Sequence, residues 1–132
     1  MRHPKVQIWE RKLKQVFDLI DEELEAEYGD RWPLHPARPP HGTTANRESD
    51  GLFNVGAAFS AGFGSKLGRG YIVEIRIATR AKIPPEVQEE IEQRVVELLN
   101  IHLPATFPDQ KLQVSRCGHT YKIHGDLSLG SA

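Results

Sequence analysis

Apolar residues recur at Val6, Trp9, Leu13, Val16, Phe17, Ile20 and Leu24, in steps of three and four that gather them on one face of a helix. Gly29 is a natural residue to follow its last turn, so the helix is expected within residues 1–28. Its charges run against the helix dipole: Lys5, Arg11, Lys12 and Lys14 come early, while Asp21, Glu22, Glu23, Glu25 and Glu27 crowd the negative end. An antiparallel partner would relieve this, and a second copy of the same helix could serve under two-fold symmetry. Trp9, Leu13, Phe17, Ile20 and Leu24 are therefore a candidate interface; docking on the chain's own core explains the stripe equally well.

Residues 29–50 carry four prolines, two histidines and no apolar period, the pattern of a linker or irregular arm. Pro33, Pro36 and Pro39 would line one edge of a polyproline II helix beside Arg38, a ligand for a proline-reading domain. The plainer reading is an arm pinned to the body by Trp32 and Leu34.

From Leu52 the period becomes two. Phe53, Val55, Ala57, Phe59, Ala61 and Phe63 alternate with Asn54, Gly56, Ala58, Ser60 and Gly62, predicting a strand with one greasy face and one face of very small residues, which something could approach closely. The glycine-rich GSKLGRG turn joins it to a second strand, Tyr71 to Thr79, with Tyr71, Val73, Ile75 and Ile77 inward. Pro84-Pro85-Glu86 opens a second helix with Val87, Ile91, Val95, Leu98 and His102 as its buried stripe, ended by Pro104 and Pro108. KLQVSR and HTYKIH follow as a hairpin turning at Cys117-Gly118, so that Leu112 faces Ile123 and Val114 faces Tyr121, with a continuation through Leu127 and Leu129. The expected fold is a two-layer α+β domain, α-β-β-α-β-β, with a four-stranded, largely antiparallel sheet covered by helices on one face. It forms a single domain in three parts: helix 1–28, arm 29–50 and ββαββ body 51–132.

Composition narrows the function classes. A net charge of −1 over 132 residues excludes a polyanion binder working through bulk charge. A single cysteine, Cys117, allows no internal disulfide, which points to a reducing, cytoplasmic setting. No apolar run is long enough to span a bilayer and the N-terminus lacks a signal-peptide pattern, so no membrane partner is expected. The body from Gly51 onward is near the size at which one core supplies little stability, which favours a homodimer.

Charge in the body is segregated. The second helix concentrates Glu86, Glu89, Glu90, Glu92 and Glu97, leaving the sheet and its loops basic. Lys66, Arg69, Arg76, Lys122 and His124 are the candidate ligand-binding residues, the first two on a glycine-rich loop whose amides could approach an anion. The loop lacks the P-loop pattern. Cys117, His119 and His124 cluster in sequence, but the histidines alternate in parity along a strand and do not make a zinc set. Ser115, His124 and Asp126, or Cys117 with His119, could assemble for hydrolysis without any nucleophile elbow. Asp18, Asp21, Glu22 and Glu25 share a helix face that could hold a hard cation or simply be solvated. The leading expectation is a non-enzymatic, self-associating module that binds a protein partner or an anionic ligand, with no cofactor, metal or catalytic residue. The alternatives are nucleic-acid or phosphate-ligand binding through the basic sheet, and a small enzyme using His119 or His124.

Overall fold

The computed structural model describes residues 4–44, 50–60 and 70–125. Its elements are α1 (Pro4–Tyr28), β1 (Phe53–Ser60), β2 (Gly70–Ile77), α2 (Pro85–Thr106), β3 (Leu112–Cys117) and β4 (Thr120–Gly125). The strands form one sheet in the order β1-β2-β4-β3, with every neighbouring pair antiparallel. The fold is α+β, with the helices packed on the sheet.

Alternation decides which face they cover. Phe53 and Val55 of β1, Val73 of β2, and Tyr121 and Ile123 of β4 are buried together with Leu13, Val16, Phe17, Ile20 and Leu24 of α1 and Ile91, Val95, Leu98, Leu99 and Leu103 of α2. Trp9 stacks on Tyr71 with ring centroids 4.9 Å apart and on Phe107 at 5.1 Å, and its indole N–H donates to Gln110 at 3.1 Å. All five proposed interface residues of α1 are thus packed inside the chain's own core, from Trp9 at 7% exposure to Ile20 and Leu24 at 0%. As an interface they are corrected: their apolar surface is already covered by the sheet and α2. Part of the acidic end of α1 is met by α2, where Arg94 meets Glu27 at 2.8 Å and His102 Nε2 lies 3.3 Å from Glu23.

Two turns differ from expectation. The second hairpin pairs Cys117 with Thr120, so the turn is Gly118–His119 and the register moves: Val114 faces Ile123, and Leu112 faces Gly125. Gly118 has φ +64°. A two-residue hairpin turn of the type with positive φ at its first central position takes glycine there, which sets the turn one residue later than Cys117-Gly118. The inward parity of Leu112, Val114, Tyr121 and Ile123 survives because the slip moves partners by two positions. Pro104 does not end α2 but sits inside its last turns. Both Pro104 and Asn100, whose carbonyl would have accepted the missing N–H, lie on the exposed side, where water can replace that bond.

The arm is tied to the body. His35 N–H donates to Ala78 at 2.8 Å, the Thr79 hydroxyl donates to Pro33 at 2.6 Å, and Gly51 N–H donates to Pro39 at 2.9 Å. Trp32 and Leu34 pack on the core. Arg38 folds back, its Nε donating to the Gly51 carbonyl at 2.7 Å, and residues 36–38 turn rather than extend, so no polyproline II edge is presented. The strand continuations through Ala61–Phe63 and Leu127–Leu129 lie outside the described residues.

Candidate functional site

β1 is an edge strand, so the amides of its odd-numbered residues face away from β2. Two carboxylates one turn apart on α1 meet the first of them: Glu25 accepts from Phe53 N–H at 2.9 Å and Asp21 accepts from Val55 N–H at 2.8 Å. α1 then leaves the edge diagonally, reaching β2 where Trp9 stacks on Tyr71. Among the described residues, the outward amides of Ala57 and Phe59 meet no such acceptor. Phe59, 60% exposed, leans edge-on against Tyr71.

Asp21 is almost fully buried, and its second oxygen, Oδ2, has no hydrogen-bond partner. Burial pushes its pKa up to about 7 against the pull of the Val55 amide, with Asp18 and Glu25 adding repulsion and Arg38 opposing them. Asp50, at the entry to β1, goes the other way. Burial would raise it, but the Thr44 amide and hydroxyl donate to Oδ2 at 2.9 and 2.8 Å and hold the carboxyl below its ordinary value, helped by His41. The two buried carboxylates thus serve different segments, Asp21 the β1 edge at Val55 and Asp50 the arm at Thr44, and are shifted in opposite directions.

The acidic face of α1 is consequently divided. Asp18 pairs with Lys14 at 3.2 Å, Asp21 and Glu25 turn to β1, and Glu22 joins Glu25, Asp30, His41, Leu34 and Leu52 around an open cavity of about 580 Å³. No group of three His, Cys, Asp or Glu side chains suited to a metal ion occurs among the described residues. Likewise, no described helix is long and apolar enough to cross a membrane.

The basic sheet residues do not gather into one patch among those described. Lys66 and Arg69, with the rest of the glycine-rich loop, lie outside the described residues. Arg76 is exposed and 3.6 Å from Glu74. Lys122 is fully buried on the sheet face opposite α1 and α2, its stem against Gly70, where a Cβ would collide with the Ile123 carbonyl. Its reach toward a surface anion is corrected, since a side chain at 0% exposure presents no ammonium to an external ligand. His124 and Ser115 meet on the same face, with Nε2 and Oγ 2.7 Å apart, while Asp126 lies outside the described residues. His119 is exposed at the hairpin turn, away from that pair. The small-residue face of β1 is open at Gly56, where an added Cβ would meet nothing within 4 Å.

A family model described as an uncharacterised protein matches residues 4–125, from the start of α1 to the end of β4. The chain belongs to this family. An uncharacterized protein of Borreliella burgdorferi is similar to it, 39% identical over 106 residues that cover 80% of this chain and 83% of that one. No solved structure matches the chain. Family membership thus spans every described element without naming a chemistry, which must come from the side chains.

Sequence reasoning passed over one such constellation. The arm places His35 beside Arg80, whose Nε is 3.4 Å from the imidazole Nε2. A local signal existed: a histidine two residues before a free amide, across a proline, is placed to accept that amide much as an Asx turn does, and His35 Nδ1 does accept from Ala37 N–H at 3.0 Å.

Proposed function

We propose that the chain is a non-catalytic binding module that associates with a second copy of itself, not through α1 but through the second half of β1. The observation that carries this is the change along one edge: Phe53 and Val55 have carboxylate acceptors, whereas Ala57 and Phe59 have none among the described residues. β1 reads FNVGAAFS, without a charge or proline, the devices that ordinarily keep an edge from pairing. A two-fold centred on Ala58 would oppose each Phe59 to the partner's Ala57, large against small, with both outward amides finding carbonyls. Asp21's hold on Val55 confines the ladder to Gly56–Ser60.

Light scattering across a concentration series tests it, together with Ala58→Cys in a Cys117→Ser background. Ala58 would stand opposite its own copy in a non-hydrogen-bonded pair, where Cβ atoms are close enough for a disulfide. A concentration-dependent dimer, locked by oxidation at position 58, is expected. A monomer throughout, with no cross-link, overturns the reading.

A second reading, hydrolysis with Ser115 as nucleophile and His124 as its base, is favoured by the 2.7 Å contact between them. A fluorophosphonate probe separates the two. Label that disappears in Ser115→Ala supports an enzyme; equal label on that variant and the parent retires it.

A further inference from the structure

His35 Nδ1 accepts the Ala37 amide at 3.0 Å, so that nitrogen carries no proton. A flipped ring would turn a carbon toward that amide and leave it without its acceptor. The neutral ring therefore holds its proton on Nε2, which makes Nε2 a donor. Arg80 Nε, 3.4 Å away, is a donor too, since a guanidinium has N–H groups and no acceptor. The two cannot be hydrogen-bonded to each other. Arg80 Nε–H is aimed at the imidazole Nε2 itself, and two donors 3.4 Å apart share an acceptor only when it sits beside the pair, within hydrogen-bond reach of both. The backbone supports the arrangement from both sides: His35 N–H is fixed to the Ala78 carbonyl, and the Thr79 hydroxyl is fixed to Pro33. His35 also lines an open cavity of about 310 Å³ with Ala37, Arg38, Pro39, Ile77, Ala78 and Thr79. The fixed charge on that wall is the Arg38 guanidinium, anchored on the Gly51 and Asp50 carbonyls.

We infer that His35 and Arg80 form a binding site for an oxyanion, a phosphate or carboxylate group of a ligand whose body occupies the adjoining cavity. The site is independent of self-pairing through β1 and lies at the opposite end of that strand, next to the arm. An oxyanion accepting from both N–H groups, with the exposed Arg80 side chain turned toward it, would turn a donor–donor contact into two hydrogen bonds to a charged group without moving the ring.

The test is a titration of the full chain followed by NMR of the His35 ring Nε2–H and the Arg80 Nε–H. Inorganic phosphate and acetate serve as separate probes, and sodium chloride as the ionic-strength control. Saturable shifts of both protons are expected with phosphate or acetate, the stronger of the two identifying the class. Arg80→Gln should weaken that binding roughly tenfold or more, the equivalent of one hydrogen bond to a charged group. Arg80→Lys, which keeps the charge but loses the fixed N–H, should fall between. Shifts matched by chloride, absence of saturation, or unchanged binding in Arg80→Gln overturns the site. A monomeric Phe59→Lys variant that still binds would separate this result from any failure of the dimer.

Discussion

The two halves of β1 lie on the same edge of the same sheet, yet they are finished differently. Over Phe53–Val55, α1 runs beside the strand and lends it two carboxylates; over Ala57–Phe59 the helix has crossed toward β2 and lends nothing. Helix geometry accounts for the change, since acceptors one turn apart on a helix that crosses a sheet diagonally can reach outward amides only where the helix meets the edge. The protection has a cost. Asp21 is taken out of water with one oxygen unpartnered, so the capped half stores an electrostatic penalty that the open half does not.

The largest expected effect follows from that penalty. Asp21 is raised from an ordinary carboxylate value to about 7 in the fold, so the folded chain holds a proton there that the unfolded chain has released. Its contribution to stability is fully present below the unfolded pKa and is lost as pH rises through about 7. Asp21→Asn keeps an oxygen for Val55 N–H but cannot ionise. The stability of the variant relative to the parent should therefore increase by about 2.5 kcal/mol between roughly pH 5 and pH 8. Urea unfolding at the two pH values measures it; a difference that does not change with pH would mean the carboxyl is not held in a dry site.

The parts of this molecule legible in the sequence are those that burial dictates. Periods of 3.6 and 2 placed both helices, the four strands and the inward parity of Leu112, Val114, Tyr121 and Ile123, because a misplaced face would expose the core. The stripe of α1 could not by itself distinguish a partner's surface from the chain's own sheet, since both bury Leu13 and Phe17 alike. The hairpin register rested on which turn position Gly118 occupies, a matter of one φ angle. Asp21 and Glu25 were the hardest to read: on an amphipathic helix they resemble any solvated acid, and their partners lie 34 and 28 residues away. Lys122 was misread for the converse reason, because a strand's outer parity ordinarily means solvent and here it does not.

A smaller effect probes the other carboxylate of the capped half. Glu25→Ala removes the acceptor of Phe53 N–H at a partly buried position and should destabilise the chain by about 1–2 kcal/mol. Glu25→Gln retains an acceptor and should restore most of this. Amide hydrogen exchange at Phe53 gives a local readout, faster in the alanine variant and near the parental rate in the glutamine variant. Equal exchange in all three would place the protection of this edge elsewhere.

The smallest effect on stability belongs to the open half, and there the smallness is informative. Phe59 is 60% exposed and touches Tyr71 edge-on, so Phe59→Lys removes little buried surface and should change the unfolding free energy of a monomer by no more than about 0.5 kcal/mol. The same substitution puts a lysine on an edge that has no charge of its own, which is how edge strands are ordinarily kept apart. If the second half of β1 pairs with a copy, mass in solution falls to that of the monomer while the melting temperature measured at low concentration hardly moves. A melting temperature that drops sharply at every concentration would instead assign Phe59 to the chain's own core, and the contrast between the two halves of the strand would then be one of degree of burial and not of function.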